Sequence, residues 1–134
     1  MKKTIITILF CILSIVNAQS FGQNKVQYRD FDWKFISSPN FDVYYYGDEI
    51  ELANFTMEAS IEAYEQIAKH LRWSLKKRVS IIVYHSHNEF QQTNVVGVYM
   101  QEGIGGVTEL FKNRVVIPFE GDYKAFRHVI HHEL

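Results

Sequence analysis

The hydrophobic spacing changes period twice between residues 41 and 84, and this limits what the chain can build. FDVYYY (41–46) follows a Ser-Ser-Pro-Asn turn, is dense in strand formers and closes on Gly47-Asp48, so it reads as a strand. From Glu49 to about Trp73 the period becomes helical: Met57, Ile61, Tyr64, Ile67, Ala68 and Leu71 recur at three- and four-residue steps. Those residues are expected to form the core face of one long helix. Acids gather at its start (Asp48, Glu49, Glu51) and bases beyond it (Lys69, Arg72, Lys76, Lys77, Arg78), the polarity a helix dipole favours. VSIIVY (79–84) is again a short β-branched run, long enough for a buried strand.

The rest of the chain continues this alternation. HSHNEFQQTN (85–94) is polar and has room for one helical turn. GVYMQEGIGGVTEL (97–110) carries four glycines and precedes the strand-like RVVIPF (114–119), with which it can pair through the FKN turn. Gly121-Asp122 makes a turn, and Asp122 is placed to cap a helix beginning at Tyr123. The order is strand, long helix, strand, loop, hairpin, helix start, which is an α+β or mixed α/β class. GIGG (103–106) lacks the lysine and spacing of a phosphate loop and reads as a flexible turn.

The N-terminus bears on where such a domain works. MKKTIITILFCILSIVNAQS starts with two lysines, runs apolar from Thr4 to Val16 and ends in small and polar residues. This pattern fits a secretory signal peptide cut after Ala18 (residues 1–18), the apolar run being short of the roughly 20 residues a span requires. Cys11 lies mid-run behind Phe10, not at a lipidation site. The polar stretch 19–30 reads as a linker, leaving 31–134 as the domain. Cleavage removes Lys2, Lys3 and no acid, so 14 bases become 12 against 15 acids, a net of −3. The only cysteine goes with them, so a periplasmic, cell-surface or secreted product must rely on packing or a bound metal. Hydrophobic content of 47% is globular, and near-neutral charge offers nothing to nucleic acid or an anionic membrane.

HVIHHEL (128–134) carries the chemistry. On a helix from Tyr123, His128 and His132 lie one turn apart on one face. His132-Glu133-Leu134 supplies the first three positions of H-E-x-x-H, in which two histidines bind zinc and the glutamate between them is the general base. With the strand and turn before it, the run VSIIVYHSHNEFQQTN … GVTELFKNRVVIPFEGDYKAFRHVIHHEL resembles the N-terminal half of a secreted peptidase-MA-like gluzincin. The resemblance implies a zincin-like N-terminal subdomain of a metallopeptidase acting on peptides or proteins. His132 would be a zinc ligand and Glu133 the catalytic base. The second histidine and a later glutamate ligand would follow Leu134, as could a β-propeller domain. The alternative is a non-enzymatic exported module that binds peptides or glycans.

The other polar residues carry blander expectations. His128 is assigned to the cleft lining and His131, about 100° from His132, to solvent or packing. His85 and His87 flank Ser86 in a polar loop; such a pair can clip a metal but is usually solvated. His70 suits the negative end of its helix, and Glu89 and Glu102 read as isolated acids.

Overall fold

A computed structural model describes residue 25, residues 28–94 and residues 103–134. The expected signal peptide (1–18), most of the 19–30 stretch and Glu102 lie outside the described residues. Five strands form one mixed sheet: β1 (Trp33–Ser37), β2 (Phe41–Tyr46), β3 (Val79–Tyr84), β4 (Val107–Glu109) and β5 (Arg114–Pro118). Their spatial order is β1-β2-β3-β5-β4. The middle three run parallel, with Val43 beside Ile81 and Ile81 beside Val115, while β1 and β4 pair antiparallel at the two edges. Among the described residues three α-helices join them: α1 (Ile50–Leu71), α2 (His87–Phe90) and α3 (Tyr123–Glu133). The class is therefore α+β with a mixed sheet, and among the described residues no helix is long and apolar enough to cross a membrane.

The period-2 pattern decides which side chains meet. Phe41, Val43, Val79, Ile81, Val83, Val115 and Ile117 face α1 and α3 and build the main core with Leu52, Met57, Phe126 and Ile130. On the opposite sheet face Tyr46, Tyr84, Val116 and Phe90 form a smaller cluster under α2, which Phe31 helps to cover. Each of the three parallel strands is thus covered on both faces, which explains its near-continuous apolar run. The hairpin expected across FKN is β4–β5, turned by a 3₁₀ segment, Leu110–Lys112, and by Asn113 at φ 53°.

Two expectations change. β1, which no pattern marked, pairs with β2 in the register Trp33–Tyr46 to Ser37–Asp42 across the Ser-Ser-Pro-Asn turn. The buried face of α1 is Leu52, Ala53, Thr56, Met57, Ala59, Ser60 and Ala63, while Ile61 and Leu71 are exposed. That face lies roughly one residue's step round the helix from the one the large apolar residues trace. Small side chains let the helix axis approach the sheet closely, and the Thr56 and Ser60 hydroxyls stay satisfied by donating to the Leu52 and Thr56 carbonyls. The residues of the expected face beyond Ile61 take a different place. Tyr64, Ile67, Ala68 and Leu71, with Trp73, wall an apolar groove that Phe41 and Leu134 also line.

Candidate functional site

The last helix is fixed at its start and along one side. Asp122, extended at φ −109°, accepts from the Lys124 and Ala125 amides at 2.8 and 3.2 Å and caps α3. Phe126 and Ile130 are buried in the main core, and Phe119 and Phe55 pack against Tyr123 and Phe126. His128 and His132 each follow an anchor by two residues, about 200° round the helix, so they turn away from the core. Both are exposed. His131 is only partly covered.

Those two imidazoles, Val129 and Glu133 form one wall of an open cleft of ≈ 460 Å³, and residues Gly103, Ile104, Gly105 and Gly106 form the other. The cleft brings together both residues expected to carry chemistry, His132 and Glu133, and the expected lining residue His128. Glu133 is half-buried. Its Oε2 lies 2.6 Å from the Thr108 hydroxyl, whose distance to the Glu133 carbonyl is 2.9 Å. The hydroxyl has one proton, and the carboxylate, closer and charged, is the stronger acceptor. Thr108 belongs to β4, so the carboxylate is tied to the sheet edge.

Gly106 makes that tie sterically possible. A Cβ there would stand 2.8 Å from Ile117 Cγ2 and 3.0 Å from Glu133 Cγ. The GIGG stretch is thus more than a flexible turn: its last glycine is needed for the close approach of backbone to Glu133. Neither Gly106 nor Thr108 stood out in the sequence, because a glycine among four and a strand threonine carry no signature. The imidazoles of His128 and His132 and the Glu133 carboxylate have the donor chemistry for a zinc-type ion. Among the described residues, however, no three His, Cys, Asp or Glu side chains are grouped to hold a metal.

β2, β3 and β5 end at a second polar region. Glu89, expected to be isolated, is instead a hub: Tyr46 donates to its Oε2, Arg29 Nη1 donates to Oε1 at 2.8 Å, and Ser86 Oγ lies 3.3 Å from Oε2. The Tyr46 oxygen also accepts from the His85 amide at 2.8 Å, and its ring stacks on the His85 imidazole at 4.0 Å. Burial pushes the Tyr46 phenol well above its ordinary range, and the bond to Glu89 adds to this. Burial lowers the His85 pKa, against an opposing pull from Glu49 and Glu89. His85 and His87 are half-buried, not the solvated loop pair expected. His70 does sit as expected, with Nδ1 2.7 Å from the Gln66 carbonyl in the last turns of α1. No family model, curated protein or solved structure matches this chain.

Proposed function

We propose that α3 carries the leading half of a zinc-peptidase centre of gluzincin type, within the zincin-like N-terminal subdomain of an exported metallopeptidase. His132 is a metal ligand in this reading and Glu133 the general base. The observation that supports it best is the setting of Glu133, whose carboxylate borders an open cleft beside His132 and is oriented by Thr108 from an edge strand. Zinc, when bound, supplies Lewis acidity and brings the pKa of a water toward about 7. Glu133 would be the residue that takes a proton from the attacking water and passes it to the departing amine. Thr108 keeps the carboxylate turned into the cleft. Among the described residues β4 has a sheet neighbour on one side only. Its free backbone groups can therefore accept an extended peptide as an added strand, which favours peptides as the substrate class.

A hydrolytic zinc needs three protein ligands and an open position. The reading therefore requires a second imidazole one turn after His132, two positions past Leu134, and a glutamate ligand from a following helix. Reading the gene beyond the Leu134 codon tests this directly: histidine at that position is expected, and any other residue removes the peptidase reading. The 134-residue chain alone is expected to show no chelator-sensitive cleavage of casein-like substrates, and such cleavage would contradict the ligand count. An exported peptide- or glycan-binding module is the second reading. It is favoured by Phe35, which is 61% exposed at the other sheet edge and stacked on Tyr44.

A further inference from the structure

The loops leaving the carboxyl ends of β3 and β5 hold polar atoms that the rest of the molecule does not use. His87, at the start of α2, has a side chain only 14% exposed, and its Nδ1 lies 3.4 Å from Glu120 Oε1. Among the described residues neither of its ring nitrogens has a hydrogen-bond partner, both are buried, and the same is true of His85 Nε2. Stranded buried nitrogens of this kind are rare, because water lost on folding is normally replaced by another partner. The two histidines line an open pocket of ≈ 520 Å³ whose polar wall also includes Glu49 and Glu120 and whose apolar wall includes Leu52 and Phe119.

The spacing of His87 and Glu120 is itself informative. The nitrogen and the carboxylate oxygen, 3.4 Å apart, are within ion-pair range when the imidazole is protonated, but they lack hydrogen-bond geometry, and a neutral ring gains little from the contact. Two ligands of one tetrahedral ion, each at about 2.0–2.1 Å from it, stand about 3.3–3.4 Å apart. We propose that His87 Nδ1 and Glu120, with His85 Nε2 as third donor, form a site for a divalent transition ion of the zinc, cobalt and nickel group. Imidazole plus carboxylate is the donor set these ions take.

No three donors already surround one point among the described residues, so the third is recruited by a side-chain rotation. The N-terminal ends of α1 and α3 lie close by in the chain and oppose a cation, while Glu49 and Glu120 favour it. A moderate affinity follows. A bound ion would join the loop after β3 to the loop after its neighbour β5, a cross-link in a domain whose described residues contain no cysteine. The site uses none of the α3 residues and stands whether or not His132 binds zinc.

The test uses the untagged full chain, stripped with EDTA and titrated calorimetrically with zinc chloride, with cobalt absorption as a second readout. One ion per chain is expected to bind with micromolar affinity. Glu120→Gln and His87→Gln are each expected to weaken that binding by about ten-fold or more, whereas His128→Ala/His132→Ala leaves it within about two-fold. Glu120 is 62% exposed, so its variant folds even if His87→Gln does not. Absence of zinc binding at millimolar concentration would overturn the proposal. So would loss of binding confined to the His128→Ala/His132→Ala variant.

Discussion

Replacing Gly106 with alanine probes the closest approach in the cleft. The backbone there lies outside the left-handed region, so alanine adds no conformational strain, and the effect reduces to one methyl group. That methyl would meet Ile117 Cγ2 at 2.8 Å and the Glu133 side chain at 3.0 and 3.1 Å. Ile117 is fully buried among the core strands and has no room to retreat. Forcing an extra carbon into a packed site costs about 1–3 kcal/mol. The reduced freedom of the unfolded chain returns about 0.4–1 kcal/mol, leaving a net loss of about 1–2 kcal/mol. For a domain of this size that lowers Tm by roughly 3–10 °C. Gly103→Ala is the matched control, since no described atom lies within 4 Å of its Cβ; it should be neutral or slightly stabilising. Differential scanning calorimetry of the two variants gives the contrast. A double-mutant cycle with Ile117→Ala then assigns it, because removing Cγ2 should relieve most of the Gly106→Ala penalty. Equal melting temperatures for Gly106→Ala and Gly103→Ala would refute the steric account, as would an undiminished penalty in the Ile117→Ala background.

Three further outcomes are expected. Asp122→Ala removes the acceptor for two amides and should cost about 1 kcal/mol in urea unfolding, while Asp122→Asn keeps most of it; an unchanged Asp122→Ala midpoint would mean that the cap contributes nothing. Thr108→Val preserves shape and strand preference but removes the donor to Glu133, and should cost about 1 kcal/mol by the same assay; a more stable variant would show that the contact is not made in solution. Burial raises the Tyr46 and Tyr84 pKa values, so above about pH 10 the unfolded chain loses protons that the folded one retains, and stability falls as pH rises. Below that range both states are protonated and the contribution is intact; Tyr46→Phe should flatten the alkaline limb of a Tm-versus-pH curve, and an identical limb would remove Tyr46 from the account.

Much of the architecture was legible because several local signals agreed. VSIIVY and RVVIPF became buried neighbours because β-branched runs suit strands covered on both faces. Asp122 announced α3 because a capping carboxylate at a turn, followed by helix formers, has one economical use. β1 was not legible. Its residues are mostly exposed, and it is a strand through pairing with β2, a tertiary fact. The true inner face of α1 was missed because the large apolar residues dominate the pattern, and serine and threonine do not register as core markers, although small side chains are what close packing selects. At the cleft, His132 and Glu133 could be named from spacing alone. Thr108 could not, since its role depends on β4 crossing beside the end of α3, 25 residues away in sequence. Glu89 looked isolated for the same reason: Tyr46 and Arg29 are 43 and 60 residues distant.

The displaced inner face of α1 leaves the helix unevenly anchored along its length. Its first turns are locked by Leu52, Ala53, Thr56 and Ala59, each at most 2% exposed. Its last turn ends on Leu71, 69% exposed, and on Arg72 in a left-handed conformation at φ 52°, which costs a residue with a Cβ about 1–2 kcal/mol. Amide protons near Ala53 should therefore exchange only when the whole domain opens, whereas those near Lys69 are released by fraying of a single turn. The helix behaves as a rigid strut with a loose tip, and the loose tip borders the groove that Leu134 enters.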